Sequence, residues 1–236
     1  MGIVSTAPRG IGEVLVTARP LDEYRAMFAL EDADLVGGPI LDCPGGAGSF
    51  AAGVRAMGGE VVSVDPVYAT PRDDLLAHAR AETLRGNRYA RDHPDLYVWT
   101  FFRTIADHRM RRLAALDRFA ADFRGPDDRY VVARLPRLPF GDRRFRLVLS
   151  AHLLFTYPDH LDHDAHLAAL RELVRLAGHE VRVFPLVDTT VARYPGLDDL
   201  RRALAADGVA SEVRPVGYEF QRGAHEMLVL RPPHAV

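Results

Sequence analysis

The sequence predicts an α/β domain with a mostly parallel β-sheet and helices on both faces. Two observations support this fold class. Short apolar runs rich in β-branched residues alternate with stretches of helical periodicity along most of the chain. In addition, an early strand leads through a glycine-rich turn and a helix to a second strand that ends in an acid. The length of 236 residues suits a single domain of this class, spanning residues 1–236.

The glycine-rich turn is the most informative stretch. A short strand is predicted at residues 40–41, the turn over Cys43–Gly48, a helix over Ser49–Met57 and a buried strand over Glu60–Val64. Glycines let a ligand approach main-chain N–H groups closely. Asp65 follows the second strand, about 20 residues beyond the turn, where a carboxylate can accept hydrogen bonds from ribose hydroxyls. The pattern predicts a nucleoside site, and the alternative is a βαβ turn whose glycines serve packing alone.

Two segments flank this unit and are expected to cover it. Residues 1–35 are predicted to form an amino-terminal arm followed by a lid helix over Leu21–Leu30. About 60 residues separate the second and third strands, far more than a single crossover needs, so residues 71–124 are interpreted as a helical cap insertion. A peripheral helical hairpin is the alternative for this insertion.

The second half of the chain continues the alternation of strands and helices. Helices are predicted over Asp162–Ala177, with Asp159 and Asp162 as cap candidates, and over Leu197–Asp207. Strands are predicted over Tyr130–Ala133, Phe145–Leu149, Val181–Leu186, Glu212–Val216 and His225–Leu230, the last two as a terminal pair.

Three segments carry a resemblance to a known family. LDCPGGAGSF at residues 41–50, VVSVDPVY at 61–68 and LPFGDRRFRLVLSAHLLFTY at 138–157 resemble motif I, the acidic strand and motif IV of class I S-adenosylmethionine-dependent methyltransferases. The resemblance spans residues 21–231. It implies a Rossmann-like sheet of seven mostly parallel strands and S-adenosylmethionine as cofactor.

The resemblance also implies which residues bind the cofactor. The turn would hold the methionine part and Asp65 the ribose, giving the cofactor-binding set Asp42, Pro44, Gly45, Gly46, Gly48, Asp65, Pro66 and Ser150. The sequence departs from the family pattern at two places. Pro44 replaces the first glycine of the motif and lacks an N–H donor. Ala133 and Arg134 stand where an acid often meets the adenine amino group, so adenine recognition would use other groups.

Catalytic candidates lie after the fourth strand and on the lid helix. His152 follows the fourth strand and is the best candidate to take a proton from a methyl acceptor, with a hydrogen-bonding wall residue as the alternative. Tyr24 and Tyr157 are expected to help hold the sulfonium through their aromatic faces. Related aromatic residues on segments near the same edge are Phe28, Tyr68, Tyr97, Trp99 and Phe155.

Three function classes are compatible with these residues. Methyl transfer to a small-molecule acceptor is the first. The second is the reaction of azetidine-2-carboxylate synthases, in which the cofactor's own amino group closes a four-membered ring and methylthioadenosine leaves. The third is a cofactor-binding module without catalysis.

Composition limits the classes of binding partner expected for this protein. The formal net charge of −2 and the lack of a basic run argue against a nucleic-acid surface, and a small-molecule substrate is expected. No apolar run reaches the roughly 20 residues that span a bilayer, so a cytoplasmic protein without membrane contact is expected. His160, His163 and His166 near three aspartates are interpreted as a solvated helix entrance, so no metal is expected. The sequence gives no indication of the oligomeric state.

Overall fold

Seven strands form one sheet in the computed structural model, which describes residues 11, 14–157 and 160–233. The strand order is β3-β2-β1-β4-β5-β7-β6, and only β7 runs antiparallel to its neighbours. This arrangement is a Rossmann-like fold, and the predicted sheet is confirmed. The strands are β1 Ile40–Asp42, β2 Val61–Val64, β3 Tyr130–Val131, β4 Phe145–Ala151, β5 Ala177–Phe184, β6 Ala210–Pro215 and β7 Glu226–Arg231.

Helices pack on both faces of this sheet. Alternation along the strands sends Leu41 and Val148 to the face covered by α6 and α7, and Ile40 and Leu149 to the face covered by α1 and α3. The helices in the described part of the chain are α1 Leu21–Phe28, α2 Asp32–Val36, α3 Phe50–Ala56, α4 Arg72–Asp92, α5 Ile105–Asp122, α6 His163–Leu176 and α7 Leu197–Ala206.

The long stretch between β2 and β3 contains α4 and α5, which pack against each other. Arg72, at the start of α4, donates from Nε to the carbonyl of Phe123 over 3.0 Å and from Nη2 to that of Ala120 over 2.8 Å. These bonds satisfy carbonyls at the end of α5 that lack partners within the helix. Phe119 and Phe123 then pack on Tyr68 and Tyr130, so the two helices share a buried cluster with the β2 end of the sheet.

Several predicted boundaries differ from the structure in detail. Helix α2 is absent from the sequence-based prediction, and its capping box between Glu31 and Asp34 is the signal that identifies it. Strand β3 is shorter than predicted, and its pairing with β2 ends at Val131. The expected arm lies outside the described residues at 1–10 and 12–13. Residues 14–20 are described and run along the glycine-rich turn.

Candidate active site at the carboxyl edge of the sheet

A cavity of about 700 Å³ lies at the carboxyl ends of β1, β2 and β4. Ligands of open α/β sheets bind at this edge, where the crossover direction reverses. The strand order places that reversal between β1 and β4. Seven of the predicted site residues line this cavity, and they are Tyr24, Pro44, Gly45, Gly46, Asp65, Pro66 and His152.

The glycine-rich turn is tightly packed against β2 and the segment before α1. A Cβ at Gly45 would lie 2.5 Å from the Tyr68 hydroxyl and 2.8 Å from Cβ of Ser63. Gly46 has φ +52°, and a Cβ there would lie 3.0 Å from the Thr17 carbonyl oxygen. Any side chain at Gly45 would therefore displace its neighbours, and the turn holds its shape because both positions are glycine.

Asp65 holds the turn from the end of β2. Its Oδ2 accepts a hydrogen bond from Gly46 N over 2.9 Å, and its Oδ1 accepts one from Val67 N over 3.0 Å. Burial raises the pKa of Asp65, while the two backbone hydrogen bonds oppose that shift. Each carboxylate oxygen keeps further acceptor capacity, so both can also accept hydroxyl groups from a ligand in the cavity.

The segment before α1 closes one side of the cavity. Ala47 N donates to the Thr17 carbonyl over 3.1 Å, and Ser49 N donates to the Arg19 carbonyl over 2.9 Å. Val14, Leu15, Val16, Thr17 and Arg19 all line the cavity. Because backbone N–H groups at the turn donate these hydrogen bonds, the segment before α1 is held against the turn.

Tyr24 reaches the cavity from α1. Its ring stacks on Phe50 at a centroid distance of 4.4 Å, and its hydroxyl donates to Oδ1 of Asp42 over 3.0 Å. Asp42 is buried and lies behind Tyr24 without lining the cavity. Burial raises the pKa of Asp42 to about 8, although the hydrogen bond from Tyr24 favours the carboxylate. The lid helix and the end of β1 are joined through this pair.

The opposite wall of the cavity is formed by the segment that follows β3. Ala133, Arg134, Leu135 and Pro136 line it, together with His78 from α4. The wall therefore offers apolar contacts and basic side chains, and no acidic side chain of the described residues lines it there.

A second cavity, of about 100 Å³, adjoins the first. Leu15, Thr17, Arg19 and His152 line both cavities and form the boundary between them. Most of the other lining residues come from α4, α5, the connection between them and the loops after β4, β5 and β6, and they include Glu82, Thr83, Tyr97, His108, Arg112, Thr156, Tyr157, Phe220 and Gln221. The insertion thus contributes a wall of this small cavity.

His152 follows β4 directly and stands between the two cavities. Its backbone has φ +50°, and its N–H donates to the carbonyl of Phe184 over 2.7 Å, which fixes the chain direction. Nδ1 is buried and has no hydrogen-bond partner among the described residues. Burial, followed by the positive charges of Arg19 and Arg112, holds the pKa of His152 well below its usual value. The imidazole is therefore neutral near pH 7 and is a weak base.

Tyr157 lines the small cavity, but its hydroxyl is already engaged. It accepts a hydrogen bond from Leu15 N over 3.1 Å, so it ties the segment before α1 to the loop after β4. Tyr97 also lines the small cavity. Phe28, Tyr68 and Phe155 are buried in core clusters, and Trp99 packs on Phe220, so the aromatic residues do not surround one point.

A buried ionic cluster around Glu23 lies beside the two cavities. Oε1 of Glu23 accepts from Nη2 of Arg112 over 2.6 Å and from the Tyr218 hydroxyl over 2.8 Å, and Nε of Arg19 lies 3.6 Å from it. Glu23 has no exposed surface. The cluster joins α1, α5 and the segment between β6 and β7, elements that are far apart in the sequence.

Two other predicted site residues lie outside the cavities. Gly48 packs under the turn, where a Cβ would lie 3.2 Å from the Arg19 carbonyl oxygen. Ser150 is buried within β4, and its Oγ has no partner among the described residues. Sequence reasoning missed Arg19, Thr83, Arg112 and Thr156, because each comes from a different element and only Thr156 lies within a quoted motif, where no role was assigned to it.

The described residues contain no group of three or more His, Cys, Asp or Glu side chains that could hold a metal ion. His166, one of the three histidines of the predicted helix entrance, is buried, with its ring nitrogens 2.7 Å from the Asp162 carbonyl and 2.6 Å from the Leu154 carbonyl. Asp162 caps α6 by accepting from Ala165 N, whereas Asp159 lies outside the described residues.

No helix of the described chain is long and apolar enough to cross a bilayer.

Comparisons with known proteins give similarity over nearly the whole chain. No protein-family model matches it. An uncharacterised protein of Methanocaldococcus jannaschii is 24% identical over 220 residues, which are 93% of this chain and 96% of that protein.

Among solved structures, magnesium protoporphyrin IX methyltransferase from Synechocystis PCC 6803 with bound SAM aligns with a TM-score of 0.48 and 15% identity, covering 90% of this chain and 77% of that one. The 1,6-didemethyltoxoflavin-N1-methyltransferase of Burkholderia thailandensis, with bound 1,6-didemethyltoxoflavin and S-adenosylhomocysteine, aligns with a TM-score of 0.46 and 17% identity, covering 89% and 78%. Both TM-scores lie below 0.5. The strand order of the chain itself therefore defines its fold as a seven-stranded, Rossmann-like sheet with one antiparallel strand.

Proposed function

We propose that this protein is an S-adenosylmethionine-dependent methyltransferase that acts on a small-molecule acceptor. The observation that carries the proposal is the link between Asp65 and Gly46 across the floor of the large cavity. The link fixes a carboxylate beside a glycine turn at the carboxyl edge of a parallel sheet, which is the arrangement that binds a nucleoside.

In this proposal the cofactor occupies the large cavity. Asp65 accepts the ribose hydroxyls, and Pro66 and the wall over Ala133–Pro136 contact the adenine. The turn at Pro44, Gly45 and Gly46 contacts the methionine part, with Asp42 and Gly48 fixing its shape from behind and Ser150 supporting the end of β4. Tyr24 offers its ring to the sulfonium. When bound, S-adenosylmethionine supplies an activated methyl group.

The small cavity favours methyl transfer over ring closure. An intramolecular cyclase needs no second substrate, whereas a methyltransferase needs a place for the acceptor beside the cofactor. The small cavity adjoins the large one across Arg19 and His152 and contains polar side chains without partners among the described residues. It therefore supports an acceptor site. A neutral His152 serves there as a hydrogen-bonding group, and Tyr157 holds the segment that separates the cavities.

The decisive measurement is S-adenosylmethionine binding by titration calorimetry with Asp65→Ala. The variant is expected to bind more weakly by about 1.5 to 3 kcal/mol, the scale of charge-assisted hydrogen bonds. Asp128→Ala, at an exposed aspartate before β3, is the matched control and should bind as the wild type does. Equal affinity of wild type and Asp65→Ala would contradict the site.

A second experiment separates the two reactions. The wild-type protein is incubated with S-adenosylmethionine alone, and the products are identified by mass spectrometry. Methyl transfer predicts no enzyme-dependent methylthioadenosine. Stoichiometric formation of methylthioadenosine and azetidine-2-carboxylate would replace the proposed reaction with cyclisation.

A further inference from the structure

The small cavity has an unusual set of unpaired polar atoms. Oγ1 of Thr83, Oγ1 of Thr156 and Nδ1 of His152 are buried and have no hydrogen-bond partner among the described residues, and Nε of Arg19 has only its ion pair with Glu23 at 3.6 Å. Thr83 and Thr156 are only 7% and 4% exposed. All four residues line this one cavity. Buried polar groups are nearly always hydrogen-bonded to protein, ordered water or a ligand, so a cluster of unpaired ones marks a position that water or a polar ligand group fills.

The charge around the cavity favours an anion. Arg19, Arg112 and Glu82 line it. Glu23 is shared by both of those arginines, and Glu82 is held by Arg85 through two hydrogen bonds of 2.9 and 2.7 Å. Two guanidinium groups and one carboxylate therefore line this space, and Glu23 and Arg85, which pair with them, lie behind it. Both threonine hydroxyls and Nε of Arg19 can donate, which matches a ligand that mainly accepts hydrogen bonds.

The size of the cavity limits the ligand. A cavity of about 100 Å³ holds several water molecules and so admits a group of only a few non-hydrogen atoms. Because Arg19 and His152 line both cavities, a group bound in the small cavity would lie next to the proposed cofactor site.

We propose that the small cavity binds the carboxylate of a small organic acid and that this carboxylate is the methyl acceptor. The inference rests on the proposed function. One carboxylate oxygen attacks the methyl carbon of the sulfonium, and the C–S bond breaks with its electron pair remaining on sulfur. The products are a methyl ester and S-adenosylhomocysteine, and no proton is released. The other oxygen keeps its hydrogen bonds to the cavity.

The acid–base properties of the cavity agree with this chemistry. An alcohol or ammonium acceptor needs a base, but the pKa of His152 lies well below its usual value, and burial lowers the pKa of His108 to about 2. Burial raises the pKa of Tyr157 and Tyr97. A carboxylate arrives already deprotonated, so the reaction needs no proton acceptor from these residues.

The test compares a carboxylate with its uncharged isostere. Binding of propanoate and propanamide is measured by ligand-observed NMR on the full chain saturated with S-adenosylhomocysteine. Propanoate is expected to bind at least about tenfold more tightly, because charge-assisted hydrogen bonds are stronger than neutral ones. Thr83→Val and Thr156→Val, which keep the side-chain shape, should each weaken propanoate binding by about threefold to tenfold. Thr100→Val, at an exposed threonine of the same insertion, should leave it unchanged.

A product measurement completes the test. The protein is incubated with deuteromethyl-labelled S-adenosylmethionine and propanoate, 2-hydroxypropanoate or 2-oxopropanoate, and labelled methyl esters are sought by mass spectrometry. Labelled ester from at least one acid supports the proposal. A labelled ether at the 2-hydroxyl group, with no ester, would overturn the assignment of the carboxylate as nucleophile.

The outcomes separate the two proposals. Retained binding of S-adenosylhomocysteine by the threonine variants shows that they fold. If the protein binds S-adenosylhomocysteine but takes propanoate and propanamide equally, the acid site is wrong and the proposed function stands. If it binds neither S-adenosylmethionine nor S-adenosylhomocysteine, both proposals are overturned.

Discussion

The hydroxyl of Tyr24 donates to Oδ1 of Asp42 over 3.0 Å, and both side chains are buried. One residue lies on the helix before the sheet and the other ends the first strand, so a single hydrogen bond joins the lid helix to the glycine-rich turn. The ring of Tyr24 lines the large cavity, while its hydroxyl points to a carboxyl group that does not. The stability of this edge of the sheet and the shape of the large cavity therefore depend on the same side chain.

Tyr24→Phe removes the donor and keeps the ring. We expect the free energy of unfolding to fall by about 1 to 2 kcal/mol, because a buried acceptor loses its hydrogen bond. The cofactor should still bind, since the aromatic face remains. Chemical denaturation measures the first effect and calorimetry the second. Tyr194→Phe is the control, because its hydroxyl has no partner among the described residues. Equal losses in both variants would contradict the importance of the Tyr24 hydrogen bond.

Glu23→Gln should be strongly destabilising. The substitution leaves Arg112, itself buried, without its charged partner at 2.6 Å, and breaking a buried ion pair costs about 3 to 5 kcal/mol. Urea denaturation gives the change in unfolding free energy. Glu60→Gln, which breaks an exposed pair with Arg144, should cost less than about 1 kcal/mol. Similar values for the two variants would show that the buried cluster adds nothing beyond a surface pair.

Gly45→Ala tests the close packing of the turn. Its Cβ would meet the Tyr68 hydroxyl at 2.5 Å, and that hydroxyl donates to the Gly46 carbonyl over 2.9 Å. Overpacking of this kind costs about 1 to 3 kcal/mol, and the shifted turn should also weaken cofactor binding. Gly141→Ala, where a new Cβ would meet nothing within 4 Å, is the control and should change neither quantity. Thermal unfolding and calorimetry test both expectations, and a stable variant with normal affinity would refute them.

His108 makes stability depend on pH. Burial, with added repulsion from Arg112 and Arg19, lowers its pKa to about 2, below the value of about 6.5 in an unfolded chain. Between these two values the unfolded state binds more protons, so stability falls as the pH drops below about 6.5. From pH 7 to pH 5 this histidine should remove about 2 kcal/mol of unfolding free energy.

The measurement for His108 is a difference between variants, because Asp42 acts in the opposite direction. The pKa of Asp42 is raised to about 8, so its contribution to stability falls as the pH rises towards that value. His108→Asn should lose less stability between pH 7 and pH 5 than the wild type does. His179→Asn, at an exposed position of β5, shows what removing any histidine contributes. Parallel curves for wild type and His108→Asn would disprove the prediction.

The sequence alone predicted the order of the seven strands along the chain and the glycine-rich turn at which the nucleoside site is proposed. Glycines at Gly45 and Gly46 and the acid at Asp65 belong to one short strand–turn–helix–strand unit, so local patterns were sufficient to place them. The same holds for Asp162, whose role as a helix cap depends only on residues of the next turn.

The tertiary structure decided which side chains surround the small cavity and what state they are in. Thr83, Arg112 and Thr156 come from separate elements with no shared motif. The low pKa of His152, which makes it a poor proton acceptor, results from burial and from two arginines that are distant in the sequence. The hydroxyl of Tyr157 contacts Leu15, 142 residues away. Such features depend on long-range packing and side-chain direction, which local periodicity does not encode.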